Sequence, residues 1–464
     1  MVEQRAIAQQ NPFLAGNFAP VRTEITTPLQ VIGQIPPNLK GSFLRNGPNA
    51  QYDPIGKYHL FDGDGMLHQV EFNGGEPIYR NRYVRTKGFL QEQQAGKPLY
   101  TGLLEPNNSN PEYSYKNVSN TALVYHSEKL LSLWEGGEPY LIDIANLDTL
   151  KPETFDGKLN IPFTAHPKVD PVTGEMMFIG YTMGTPPFLY YGIISAEGKL
   201  TKIIPIELPV GVMIHDFAIT QNYTIFPNLP LTLRPERIAK GQPAFQFETE
   251  TPSYFGILPR HAPPEEIRWF ETESCFIFHT LNAYEEGDEI ILIACRMEAT
   301  NVLGATDNPE KAKRGDIPIL TKWRFNLQDN SVKEEALDQI PSEFPTLNPA
   351  YVGRKNRYGY TASMKPDIVP LFDGVIKYDL ETGEISRYYY GSGRYGGEVV
   401  FAANPDGNGE DDGWLMTFVY DESDNSSELV ILSAQNLNSE PIARIPIPRR
   451  VPYGFHGVWV SQQA

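Results

Sequence analysis

Asp170–Gly180 (DPVTGEMMFIG) decides the fold: a cluster of turn formers, Pro and Gly among them, runs directly into an apolar, strand-like segment. The turn nearly repeats at Asp379–Glu384 (DLETGE), again at the start of a strand-like stretch, and a repeated hairpin module is the simplest cause. Outward from these two turns, short runs rich in β-branched and aromatic residues recur between turn signals. They include Ala122–Tyr125 (ALVY), Leu130–Trp134 (LLSLW), Glu289–Cys295 (EIILIAC), Gly374–Tyr378 (GVIKY), Trp414–Tyr420 (WLMTFVY) and Glu428–Ser433 (ELVILS). The 39 Gly and 40 Pro are spread along the chain instead of gathering in a linker, and long amphipathic helical patterns are scarce. An all-β chain of this kind suits a β-propeller, whose radial sheets leave few exposed edges. The pattern does not allow the blades to be counted.

Trp134, Trp269, Trp323, Trp414 and Trp459 are followed by Glu, Phe, Arg, Leu and Val, so the Trp-Asp signature of the commonest scaffold propellers is missing. Irregular stretches at Lys87–Tyr115, Pro227–Pro252, Ala299–Pro318 and Ser342–Pro366 are too long for hairpin turns. They are expected to pack, with short helices, as a dome over one face of the propeller, where binding sites are usually built. One propeller domain is expected over residues 1–464, with 1–40 packing on it as an N-terminal extension. Asn404–Gly413 (NPDGNGEDDG) resembles a calcium loop but lacks the terminal Glu at the required spacing, so it reads as a solvated turn.

The composition narrows the function. Hydrophobic residues at 41% and charged residues at 21% describe a folded globular chain of 464 residues and exclude a disordered one. A net charge of −18 repels phosphate backbones, so no nucleic-acid partner is expected; no obligate protein partner is signalled either. From the stretch MVEQRAIAQQNPFLAG no secretory or organelle signal is expected, and the apolar runs are far short of a spanning helix. Two cysteines, Cys275 and Cys295, cannot staple a chain this long; a reducing compartment, the cytoplasm, is expected.

Only eight histidines occur. Four of them, His166 (FTAHPKVD), His215 (MIHDFAI), His279 (CFIFHTLN) and His456 (YGFHGVW), end apolar strand-like runs or sit among small and aromatic residues. Any one alone reads as a core histidine with a satisfied hydrogen bond. Four similar settings, too far apart in sequence for one loop, point instead to inner strands converging on a propeller axis. An all-imidazole set suits zinc, copper or iron rather than calcium or magnesium. Four neutral ligands leave the metal's charge uncompensated, so carboxylates are expected behind them, each accepting the other ring N–H. Glu135 (LWEGG), Glu343 (SEFPTLN) and Glu398 (GGEVVF) are the candidates because their neighbours are apolar or Gly-rich. His59, His68, His126 and His261 read as structural or surface residues.

With these residues in view, the chain resembles the carotenoid cleavage oxygenases, a family that includes apocarotenoid and stilbene-cleaving members. The resemblance runs from Asn17–Val21 (NFAPV) through Gly41–Asn49 (GSFLRNGPN), Tyr58–His68 (YHLFDGDGMLH), Ser119–Thr121 (SNT) and LWEGGEPY at 133–140, then the four histidine segments, to the terminal YGFHGVWV. It implies a seven-bladed β-propeller with one Fe2+ held by His166, His215, His279 and His456, and O2 as co-substrate. It further implies that Glu135, Glu343 and Glu398 orient His215, His279 and His456, and that Thr121 sits near a vacant metal position. Beyond the metal centre no catalytic acid or base is signalled. Asp62–Met66 (DGDGM) reads as structural, its glycines permitting positive-φ turns.

The resemblance implies a dioxygenase that cleaves a conjugated double bond of a carotenoid or apocarotenoid. A phenolic stilbene is the alternative substrate, and a metal-free binding scaffold the alternative class. A polyene lives in membrane, so transient peripheral contact is expected through an apolar patch, assigned to Phe226, Leu229, Leu231 and Leu233 in FPNLPLTL; the competing reading is that these residues cap the core.

Overall fold

The computed structural model describes residues 11–462 apart from 104–112, 114, 183, 302–306, 309, 311–314 and 366–368. Among the described residues the regular structure is almost all strand, with one α-helix at Lys87–Ala95. The repeated turn explains how hairpins form. Asp170 Oδ1 accepts the amides of Val172 (2.8 Å) and Thr173 (3.1 Å), its own amide donates to the Glu175 carbonyl, and Gly174 turns the chain at φ +71°. Asp379 does the same with Glu381, Thr382, Glu384 and Gly383, the last at φ +74°. The geometry recurs in disguise at Asp143, Asn326 and Asp421, the last with its Oδ1 on the Ser423 amide and Asn425 at φ +59°. At Asp143 the left-handed residue is Leu147, and at Asn326 it is Asn330 (φ +63° and +61°). An Asp or Asn side chain that bonds its own backbone two residues on is the constant, and the Gly is dispensable.

Each such turn feeds an antiparallel meander. Four strands in sequence order make the sheets Ala122–His126 to Thr149–Pro152, Lys168–Val169 to Leu200–Ile206, and Ala218–Ile219 to Arg268–Thr272. A seven-stranded path runs from Phe276–Glu286 to Ile385–Tyr389 through one long strand, Val332–Thr346. That strand pairs with Ile319–Asn326 mainly through Val332–Ala336 and with Tyr358–Lys365 through Ser342, Glu343 and Thr346, so it belongs to two successive four-stranded modules. The two remaining large sheets join strands from the two ends of the chain. Gly41–Arg45 pairs with Gly457–Ser461 in one, and Ile32–Gly33 with Ala443–Ile447 in the other. The modules of four or more strands thus come to seven among the described residues. A three-stranded sheet of Gly211–Val212, Leu231–Leu233 and Phe245–Phe247 is additional.

The chain divides into two compact units. One comprises residues 1–156, 367–375 and 386–464, the other 157–366 and 376–385. In the first, Phe43, Val70, Tyr79, Met416, Leu429 and Ile445 form a core. Lys116 is buried there between Glu92 (2.6 Å) and Asp64, tying the helix to the DGDGM segment. The glycines of that segment serve close approach rather than positive φ. A Cβ on Gly63 would lie 2.6 Å from the Asn49 amide nitrogen and one on Gly65 2.2 Å from the Ser119 oxygen, and Gly63 has φ −66°. In the second unit, Ile225, Phe255, Phe270, Leu292 and Trp323 form a core, and buried Asp170 is clamped by Arg260 and Arg354.

Three expectations need correction. Phe226, Leu229 and Leu231 are 0%, 2% and 1% exposed, packed in the cores of the second unit, and Leu233 is half-buried. Phe226 is in a strand paired on both sides and Leu231 in a strand paired with Phe245–Phe247, so the apolar side chains point into packed sheet and offer no membrane patch. Pro227–Pro252 is likewise partly ordered as strands, and Ser342–Pro366 contributes the end of one strand and all of the next, paired through Ser342–Ser363, Glu343–Ala362 and Thr346–Tyr360. Lys87–Tyr115 opens with the helix, capped by the Thr86 hydroxyl and by Gly96 at φ +65°. Its later part, and most of Ala299–Pro318, lie outside the described residues.

Candidate metal centre

Each of the four histidines sits where a strand starts, ends or bulges. His166 precedes Lys168–Val169, and its amide donates to the Thr164 hydroxyl at 3.0 Å. His215 lies between Gly211–Val212 and Ala218–Ile219. His279 is inside Phe276–Glu286, where the ladder to Glu289–Met297 shifts register between Ile277 and Thr280; a bulge there turns the imidazole out of the plain alternation. His456 leads into Gly457–Ser461, and its amide donates to the Thr121 carbonyl at 3.2 Å.

In the second unit His166, His215 and His279 face one another. The Nε2 atoms of His166 and His215 are 3.0 Å apart, and the three ring centroids are separated by 4.6, 5.0 and 5.1 Å. His279 Nδ1 is 2.5 Å from Glu343 Oε2. Glu343 itself sits at a second register shift, and the following residue, Phe344, has φ +51°, donates its amide to the same carboxylate, and stacks its ring on His279 at 5.3 Å. In the first unit His456 Nδ1 is 2.9 Å from Glu398 Oε1, whose other oxygen accepts the Gly457 amide at 2.6 Å. One potential ligand atom from each of His166, His215 and His279 lies within 4.8 Å of the other two.

This donor set fits a transition-metal ion. An Nδ1–H donated to a carboxylate fixes the tautomer and leaves the Nε2 lone pair as the ligand. Two imidazole nitrogens about 2.1 Å from one ion and at right angles are about 3.0 Å apart, the His166–His215 separation. His215, His279 and His456 are 7–9% exposed, so their rotamers are held by packing before any ion arrives. Thr121, also buried, bonds its hydroxyl to Asn120 Oδ1 at 3.0 Å. Glu135 is half-buried in the turn after Lys129–Leu133.

The other histidines serve elsewhere. His59 caps a short 3-10 turn, buried His68 bonds the Tyr79 hydroxyl at 2.8 Å, and His261 is exposed. Cys275 and Cys295 are buried thiols without a disulfide, and burial pushes both upward in pKa, Cys275 to about 11. Phe344 was not legible as a site residue, since SEFPTLN contains nothing that marks a positive-φ phenylalanine.

Fold and cluster together define an all-β protein whose histidines fit a metal ion. The chain belongs to the carotenoid cleavage oxygenase family: residues 18–461 match the family described as Retinal pigment epithelial membrane protein (RPE65). It is 39% identical to carotenoid 9,10(9',10')-cleavage dioxygenase 1 of Arabidopsis thaliana, over 97% of this chain and 90% of the relative. It is 40% identical to the enzyme of the same name from Pisum sativum, with the same coverage. Among solved structures, the lignostilbene dioxygenase of Pseudomonas brassicacearum superposes with a TM-score of 0.90 at 31% identity, covering 98% of this chain and 99% of that one. Cobalt-substituted ACO of Synechocystis gives 0.83 at 30%, covering 96% and 97%. The fold class is accordingly the all-β, seven-bladed propeller. No helix among the described residues is long and apolar enough to cross a membrane.

Proposed function

We propose that this protein is a non-haem iron(II) dioxygenase that cleaves a conjugated C=C bond of a carotenoid or apocarotenoid into two carbonyl products. The observation that carries the reading is the convergence of the imidazoles of His166, His215 and His279, with ligand atoms within 4.8 Å of one another, and no carboxylate in the same cluster among the described residues. His166, His215, His279 and His456 would hold the ion, and iron(II) so bound supplies the capacity to activate dioxygen beside the alkene. The residues' own work is positional. Glu343 and Glu398 hold the Nδ1 protons of His279 and His456, and Glu135 is assigned the same task for His215. Phe344 covers one face of His279 and keeps water from it. Thr121 would border a ligand position not taken by histidine.

The relatives named for carotenoid 9,10 cleavage, at 39–40% identity, support a polyene substrate. The TM-score of 0.90 to a lignostilbene dioxygenase supports the second reading, a phenolic stilbene. A cytoplasmic location with peripheral membrane contact suits a polyene, but the contact surface must lie outside residues 226–233. Purified, iron-loaded protein incubated with β-carotene, an apocarotenal and resveratrol, followed by product mass analysis, separates the readings. Carbonyl fragments from either carotenoid substrate support the first, fragments from resveratrol alone favour the second, and no fragments from any overturn both.

A further inference from the structure

One buried side chain ties together the backbone next to three of the four histidines. Asp216, 4% exposed, follows His215 directly. Its Oδ2 accepts both the amide and the hydroxyl of Thr280, each at 2.8 Å, and Thr280 follows His279 directly. Its Oδ1 accepts the Phe217 amide at 2.7 Å and lies 2.7 Å from Nζ of Lys168, two residues after His166. The Lys168 ammonium also lies 5.9 Å from the centroid of the Phe217 ring. The Phe217 carbonyl, 3.3 Å from the same Thr280 hydroxyl, is the alternative acceptor for its single proton. All these residues belong to the second unit.

We propose that Asp216 is a positioning residue for the metal centre, setting the mutual placement of His166, His215 and His279 through Lys168 and Thr280. Glutamates that bond imidazole nitrogens control the tilt of single rings, whereas Asp216 bonds none of them in the contacts described and acts on the strands that carry them. A carboxylate suits this place because four donors converge on two oxygens, and a neutral acceptor would leave Lys168 without its counter-charge. The bulge at Ile277–Thr280 frees the Thr280 amide from the ladder and aims it at Asp216, so the irregularity that presents His279 also makes the connection. The sequence signal is the His-Asp pair at 215–216, which reads as an ordinary polar dipeptide until the fold brings Lys168 and Thr280 to it.

The inference rests on the metal reading above, and Co(II) titration of the metal-free protein distinguishes their failures. Wild type that binds no Co(II) overturns both. If wild type binds one equivalent, Asp216→Asn, Lys168→Met and Thr280→Val are each expected to weaken Co(II) about 10–100-fold and to alter its visible absorption bands. Asp379→Asn, which breaks the Arg357 pair of a repeated turn, is the control for stability loss alone and should leave the Co(II) bands unchanged. Variants that bind Co(II) with wild-type affinity and bands, or that lose affinity only as far as the control does at equal loss of Tm, overturn the inference. Should Asp216→Asn fail to fold, Lys168→Met and Thr280→Val decide it on the same criteria.

Discussion

His279 Nδ1 and Glu343 Oε2 lie 2.5 Å apart although 64 residues separate them in the chain, and both residues sit at register shifts of their strands. A regular ladder would send one of the two side chains to the wrong face or the wrong height. The paired irregularities bring carboxylate and imidazole together, and the positive-φ Phe344 locks the arrangement by bonding and stacking at once. Strain at φ +51° in a phenylalanine is tolerated only where the surrounding contacts over-determine it.

Glu343→Gln and Glu398→Gln should each weaken metal binding by about 10–100-fold while the protein still folds, because the amide keeps the shape and loses the charge that holds the Nδ1 proton. Glu135→Gln is expected to do the same through His215. Metal competition titrations measure it, and wild-type affinity in all three would remove the glutamates from the site.

Alanine at His166, His215, His279 or His456 should sharply reduce the one equivalent of iron expected per chain. Elemental analysis after reconstitution is the check, and unchanged iron in two of the four variants would contradict the ligand set.

Under ¹⁸O₂ both carbonyl products should begin with labelled oxygen. Label confined to one product, after exchange with water is controlled, would instead indicate that one oxygen comes from solvent.

Phe226→Ala should lower unfolding stability by about 3–5 kcal/mol, the cost of a cavity at a fully buried ring, with no specific loss of liposome association. Urea melts together with vesicle sedimentation test this. Retained stability with lost vesicle binding would restore the segment as a membrane contact.

Burial alone would raise the pKa of Asp170, but the Arg260 guanidinium, the Val172 amide, Arg354 and the Thr173 amide outweigh it and hold the pKa at about 2. A carboxylate depressed in the folded state contributes stability above its unfolded pKa, about 3.9, and loses that contribution as pH falls toward about 2. The stability difference between wild type and Asp170→Asn, from denaturant melts, should be constant above about pH 5 and shrink on acidification through 4 to 2. A difference independent of pH would show that the ion pair does not carry it.

The strand runs and the two Asp-anchored turns that carry a Gly were legible in the chain because their cues are local: an apolar run and a Gly at a fixed offset. The copies at Asp143 and Asn326 were hidden because Leu147 and Asn330 occupy the left-handed position, where the carboxylate or amide that bonds the backbone compensates for the missing glycine. Apolar content at FPNLPLTL was legible, but not which way it faced. An exposed patch and a buried strand share one composition, and only the pairing of Tyr223–Asn228 with Ala218–Ile219 and Ser253–Pro259 decides between them.

By itself the amino-acid sequence determined the strand-and-turn alphabet, the identity of the four histidines and three glutamates as candidates, and the family they resemble. All of these follow from residue type and order. The tertiary structure alone decided that His279 meets Glu343 and His456 meets Glu398, that the imidazoles of His166, His215 and His279 come within 4.8 Å, and that Asp216 binds Thr280 and Lys168. The physical reason is that each of these contacts joins residues tens to hundreds of positions apart through strand register and bulges. A one-residue slip reverses the face of a side chain, and many long-range pairings together select a register that no local pattern encodes.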